Sequence, residues 1–226
     1  MKNDLLNYDF KIFQNDDYFK FSIDSVLLAE FVNIGYRTKS IIDFCTGNAP
    51  IPMILSTKFS KRIVGVELQK EIYDLAKKSV NYNNINNVEL INMDVKDLVD
   101  LNEKFDIITC NPPYFKVVDG SKVNDNSVKA IARHEIKINL EDIIKVSSKI
   151  MNFSGSLYFV HRCERLVEII DLLKKYNFGL RRLQFVYNSL DSDCCFILVE
   201  AKYLCKDDLI VCKPIYIDKY LEGVWN

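Results

Sequence analysis

Short apolar runs alternate with helical stretches through the first half of the chain. Ser40-Ile41-Ile42-Asp43-Phe44, Arg62-Ile63-Val64-Gly65-Val66, Val88-Glu89-Leu90-Ile91-Asn92-Met93-Asp94 and Phe105-Asp106-Ile107-Ile108-Thr109-Cys110 each read as a short buried strand. Between them, residues 51–59 and 69–80 carry apolar positions at helical spacing, which predicts the strand, turn, helix units of an α/β sheet. Helical periodicity returns over 137–150 and 163–176, with a fifth strand at 155–160 between them. Residues 182–187 and 194–202 read as a terminal antiparallel pair around Asn188-Ser189-Leu190-Asp191-Ser192-Asp193. Near the start, residues 24–31 predict a helix capped by Ser22 or Asp24. The stretch 115–130 has few apolar residues and is expected to be a long, mobile loop that closes over a site.

Where these strands end is more telling than the strands themselves. In order they finish at Asp43 with Gly47 just beyond, at Glu67, at Asp94 and at Asn111, and open α/β sheets bind ligands at the carboxyl edge of their strands. The turn Cys45-Thr46-Gly47-Asn48-Ala49-Pro50 brings backbone close to a nucleoside cofactor, with Asp43, Cys45, Gly47 and Asn48 as its candidate contacts. Glu67 stands twenty-four residues after Asp43, the offset at which an acid reaches a ribose diol. Asp94, followed by Val95, is placed to accept from an adenine amino group. Where a dinucleotide fingerprint has three glycines, this turn has Cys45, Gly47 and Ala49, which argues against NAD and for a cofactor without a phosphate. Each acid has a plainer use as a helix cap or a solvated strand end.

Asn111-Pro112-Pro113-Tyr114 solves a specific chemical problem. The lone pair of an exocyclic purine amine or a carboxamide nitrogen is delocalised, and such a nitrogen attacks a methyl donor only when drawn toward tetrahedral geometry. The Asn111 side-chain oxygen and the Pro112 carbonyl can each accept one N–H, the two prolines hold both acceptors still, and Tyr114 offers a stacking face. Taken alone, Asn-Pro also ends strands and Pro-Pro also breaks regular structure.

With these residues in place, the chain resembles a class I S-adenosylmethionine-dependent methyltransferase of the amino-methylating branch. More narrowly, Asn111-Pro112-Pro113-Tyr114-Phe115, Ala132-Arg133-His134-Glu135 and His161-Arg162-Cys163-Glu164-Arg165-Leu166 resemble the bacterial tRNA1(Val) (adenine(37)-N6)-methyltransferase family, from about residue 8 to about 202. The resemblance implies a Rossmann-like α/β fold with a seven-stranded, mostly parallel sheet and an antiparallel terminal hairpin. It implies S-adenosyl-L-methionine as cofactor and N6-methylation of adenine in tRNA, at position 37 beside the anticodon. Asn111, Pro112, Pro113 and Tyr114 are then the catalytic group, with Asn111 also against the cofactor, and Tyr114, Phe115, Arg133 and His134 meet the RNA. Direct displacement needs no strong base. A methyltransferase on another amine (an rRNA or DNA base, or a protein glutamine) and a non-catalytic RNA-binding module are the alternatives; the glutamine enzyme usually has a helical domain ahead of its core, and only about forty residues precede Ile41 here.

At 226 residues and 49% hydrophobic, the chain is expected to form one domain, with an amino-terminal extension at 1–39, a core at 40–203 and a tail at 204–226. Seven cysteines without Cys-x-x-Cys spacing fit a reduced cytoplasmic protein without a disulfide framework or a metal, and no segment has the length of a membrane span or the character of a secretory signal. A monomer or weak dimer is expected. A net charge of −1 makes no global case for nucleic acid, but two local basic sets do. One is Lys116, Lys122, Lys129, Arg133 and His134; the other is His161, Arg162, Arg165, Lys174, Lys175, Arg181 and Arg182. For Lys174 and Lys175 a solvated helix face is the expected role.

Overall fold

The computed structural model describes residues 2–5, 8–14, 23–112 and 138–223. A hairpin of β1 (Lys2–Leu5) and β2 (Tyr8–Phe13) precedes helix α1 (Ile23–Phe31). Then come β3 (Ile41–Phe44), α2 (Pro50–Ser56), β4 (Ile63–Glu67), α3 (Lys70–Tyr82), β5 (Val88–Asn92), a 3-10 turn (Val95–Leu101) and β6 (Phe105–Cys110). The second half runs through α4 (Leu140–Ile150), β7 (Met151–His161), a 3-10 turn (Cys163–Arg165), α5 (Leu166–Lys175), β8 (Phe178–Tyr187) and β9 (Cys194–Tyr203). It closes with β10 (Ile210–Val211), β11 (Ile215–Tyr216) and α6 (Ile217–Leu221).

The seven expected strands form one sheet in the order β8-β9-β7-β6-β3-β4-β5, and the two-residue strands β10 and β11 both join β8. Strand β9 runs antiparallel to its neighbours β7 and β8; the other described pairings in this sheet are parallel. Every position of β3 and β4 is buried, as a parallel sheet covered on both faces requires. Successive side chains point to opposite faces, so Ile41, Ile63 and Ile107 pack with α1 and α2. Ile42, Phe44, Val64, Val66 and Ile108 pack on the other face with α4 and α5.

Chain order reverses at β3, because β4 follows on one side of it while β6 lies on the other. This reversal opens a crevice beyond the carboxyl ends of β3 and β6, where open α/β sheets hold ligands.

Several boundaries differ from expectation for identifiable reasons. Helix α4 starts at Leu140, because Asn139 caps it: its side chain accepts from Asp142 N at 2.9 Å while Asp142 accepts from Asn139 N at 3.3 Å. Strand β7 begins at Met151 and absorbs the extra residues through a register shift against β6 and a left-handed Ser154. The amino-terminal hairpin was not expected. Phe13 N donates to Ser79 Oγ at 2.9 Å, Lys11 N to Asn83 Oδ1 at 2.9 Å and Asn83 Nδ2 back to Lys11 O at 2.7 Å, fixing β2 along α3. Ser22 and the expected loop at 115–130 lie outside the described residues. No helix among the described residues is long and apolar enough to cross a membrane.

Candidate active site

The turn after β3 is built from left-handed backbone. Cys45, Gly47 and Ala49 have φ of 52°, 56° and 66°, so the positions where glycine is usual keep that geometry although two of them carry a Cβ. Thr46 locks the turn: its Oγ1 donates to Asp43 Oδ2 at 2.6 Å and its N to Val66 O at 2.9 Å. A Cβ on Gly65 would stand 2.9 Å from Thr46 Oγ1, so only glycine in β4 lets Thr46 lie this close. A Cβ on Gly47 would meet nothing within 4 Å, which leaves open space above the crest of the turn. Asn48 is buried beside it.

Asp43 faces inward. Fully buried, it accepts from Thr46 and, through Oδ1, from Thr109 Oγ1 at 2.6 Å, so it joins β3, the turn and β6. Burial pushes its carboxyl up to about 7, against the two hydroxyl bonds that pull it down. Cys110 is buried against Cys45, and burial followed by that neighbour raises its thiol well above the ordinary range.

Glu67 closes the floor of the crevice. Only 6% exposed, it accepts from Gly47 N at 3.0 Å through Oε2 and from Gln69 N at 2.9 Å through Oε1. Burial raises its carboxyl, opposed by donors from Gln69, Gly47 and Leu68. Because the Gly47 amide is given to a carboxylate, the turn is not a phosphate cradle, in keeping with a cofactor that has none. Beside it, Gln69 Oε1 is buried without a hydrogen-bond partner, an acceptor suited to a hydroxyl donor. Asn92 Nδ2 donates to Glu67 O at 2.8 Å and Leu68 O at 2.9 Å, pinning the exit from β4. Asp94 caps the 3-10 turn, accepting from Lys96 N at 2.9 Å, and Val95 is buried in the core.

Asn111 follows β6 directly and is half-buried, with Pro112 buried after it. Its Nδ2 donates to Ser25 Oγ at 2.8 Å, which joins the end of β6 to the first turn of α1. Asn111 therefore stands at the sheet reversal, one strand from the turn that follows Asp43. Pro113, Tyr114, Phe115, Arg133 and His134 lie outside the described residues, as do Lys116, Lys122 and Lys129.

Of the second basic set, Arg165, Lys175, Arg181 and Arg182 pair with Glu168, Glu141, Asp208 and Glu200. The pairs of Lys175, Arg181 and Arg182 join separate segments, and that of Arg165 lies across the first turn of α5. Arg162 pairs with Glu164 at 3.4 Å, and His161 is buried with its Nδ1 accepting from Arg162 N at 2.9 Å; Phe159 pairs with Cys110, so β7 ends at His161 beside the strand that leads to Asn111. Sequence reasoning missed Ser25, Thr46, Thr109 and Gln69. A polar residue inside an otherwise apolar strand was the available signal for Thr109; nothing in the sequence pointed to Ser25.

Residues 20–178 match the family described as methyltransferase small domain. The chain belongs to that family. Among curated relatives, a tRNA1(Val) (adenine(37)-N6)-methyltransferase of Histophilus somni is 28% identical over 156 residues, covering 67% of this chain and 64% of the relative. The chain thus spans under two thirds of that relative's length. One of the same name from Cytophaga hutchinsonii is 24% identical over 184 residues, covering 80% and 75%. A release factor glutamine methyltransferase of Francisella tularensis is 33% identical over 146 residues, covering 61% and 50%. Among solved structures, a predicted O-methyltransferase of Agrobacterium tumefaciens superposes with a TM-score of 0.67 at 22% identity, covering 88% of this chain and 96% of that one. This methyltransferase small domain has the class I Rossmann-like fold, and its cofactor is S-adenosyl-L-methionine. The buried Glu67, the orphaned Gln69 acceptor and the open crest at Gly47 fit a ribose diol there.

Proposed function

We propose that this chain transfers a methyl group to the N6 amine of an adenine in tRNA, at position 37 beside the anticodon of tRNA1(Val). The observation that carries this reading is the place of Asn111, at the carboxyl end of β6 and at the sheet reversal, with its amide nitrogen on Ser25. S-adenosylmethionine supplies an electrophilic methyl when bound. Glu67 and Gln69 take the ribose hydroxyls, Asp94 with Val95 the adenine, and the backbone from Cys45 to Asn48 borders the methionine end. Asn111 Oδ1 and the Pro112 carbonyl accept the two N–H groups of the target amine and fix its lone pair toward the methyl. Proline restrains the second acceptor, so little reorganisation accompanies transfer. Tyr114 stacks on a base turned out of its loop, while Phe115, Arg133 and His134 hold the flanking RNA. The alkylated amine is strongly acidic and gives its proton to water without a dedicated base.

The names of the Histophilus and Cytophaga relatives support tRNA as substrate. The Francisella relative favours a second reading, methylation of a protein glutamine, whose carboxamide presents the same delocalised N–H pair. Labelled cofactor is incubated with the protein and, separately, unmodified tRNA or a glutamine-bearing release-factor peptide, with nucleoside mass spectrometry of the RNA. Label in N6-methyladenosine from tRNA is the expected result. Label confined to the peptide would move the substrate to protein, and failure to bind S-adenosylmethionine in a calorimeter would favour the non-catalytic module.

A further inference from the structure

We infer that Ser25 is a positioning residue for Asn111, setting which end of its carboxamide faces the substrate amine. The inference rests on the assignment of Asn111 above. A carboxamide has a donor and an acceptor end that differ by a half-turn of a soft torsion, and only the acceptor end can hold a target N–H. Ser25 Oγ takes the donor end at 2.8 Å, across 86 residues of sequence, and so directs Oδ1 to the other side. Ser25 is itself held firmly. It is 5% exposed, its N donates to Asp24 Oδ1 at 3.0 Å, and α1 packs through Val26, Leu27, Leu28 and Phe31 into the same core as Ile54 and Leu55 of α2. A single hydroxyl thus couples the acceptor at the end of β6 to the helix before β3.

A hydroxyl can also donate. A flipped amide would put Ser25 on Oδ1, and removing the hydroxyl would then leave turnover unchanged or raise it. The experiment compares Ser25→Ala and Ser25→Thr with wild type, on whichever substrate the wild type methylates. In Ser25→Ala, kcat is expected to fall about tenfold while the KM for substrate and the S-adenosylmethionine Kd stay within about twofold; Ser25→Thr, which keeps the oxygen, recovers most of the loss. A second readout needs no turnover. The Asn111 side-chain NH2 resonances, identified by their loss in Asn111→Ala, are expected to move in Ser25→Ala and to return toward wild type in Ser25→Thr. Unmoved resonances, an unchanged or raised kcat, or a kcat loss matched by an equal loss of cofactor affinity would each overturn the inference. An Asn111→Ala protein of wild-type activity would instead remove the role of Asn111, and the resonances would still report whether the contact exists.

Discussion

At the amino edge of the sheet, the left-handed corners ahead of β5, β6 and β8 are taken by Asn84, Asn102 and Asn177, at φ of 53°, 50° and 63°. Asparagine tolerates that region because its short side chain bonds locally. Ser154, early in β7, and Leu204, just past the end of β9, also adopt it at this edge. At the carboxyl edge, three left-handed residues fall within five positions, and Cys45 and Ala49 among them lack that compensation, at roughly 1–2 kcal/mol each. The acids divide in the same way. Asp106, near the amino edge, gathers Lys39 N at 2.7 Å, Ser40 N at 3.3 Å and Asn152 Nδ2 at 2.8 Å, and serves as a clamp for the scaffold. Asp43 and Glu67 are buried beyond it, both with carboxyls pushed up by desolvation, and Gln69 Oε1 beside them has no partner. Closely spaced left-handed backbone and carboxyls raised by burial meet where the chemistry is proposed, while a similar acid elsewhere is used to hold loops.

The sharpest way to break this contrast is Asn111→Ala. Turnover is expected to fall about a hundredfold or more with S-adenosylmethionine affinity nearly intact, since the lost bond acts on the transition state. An active variant would leave the carboxyl edge without its proposed acceptor.

A smaller effect follows from Asp43. Its folded carboxyl, at about 7, lies above the unfolded value near 3.9, so the native state keeps a proton that the unfolded chain has lost. Stability from this group is therefore fully present below about pH 4 and declines as pH rises toward 7. Asp43→Asn removes the titration, and the stability difference between wild type and variant should shrink by on the order of 2 kcal/mol between about pH 4.5 and 7.5 in urea melts. A pH-independent difference would mean that Asp43 is ionised in the fold.

Least affected should be Ala49→Gly. Relief of the left-handed backbone offsets the loss of a buried methyl group and the added freedom of the unfolded chain, leaving a net change under about 1 kcal/mol. A loss well beyond that would show that Ala49 is not strained.

The strand ends were legible because each relies on a local signal. An apolar run followed by Asp43, Glu67, Asp94 or Asn111 is visible without any tertiary contact, and the order of those runs carried the topology. Contacts that join distant residues were not visible. Ser25 meets Asn111 across 86 positions and Thr109 meets Asp43 across 66, and neither serine nor threonine is unusual where it stands. In the second basic set, Arg181 and Arg182 find their carboxylates, Asp208 and Glu200, only after folding, whereas the partner of Arg165 stands three residues on. The hairpin has a faint local signal in the alternation Tyr8, Phe10, Ile12, but its packing on α3 depends on Ser79 and Asn83 far along the chain.

Calorimetric titration with S-adenosylmethionine, run in parallel on wild type, Glu67→Ala and Asp106→Ala, tests the contrast between the edges most directly. Loss of the Glu67 carboxyl as acceptor for a ribose hydroxyl, at roughly 1.5–3 kcal/mol, should weaken binding to Glu67→Ala by at least about tenfold. Asp106→Ala, though less stable to urea, should bind within about twofold of wild type. Unchanged affinity in Glu67→Ala, or an equal loss in both variants, would contradict the assignment of the cofactor to the carboxyl edge.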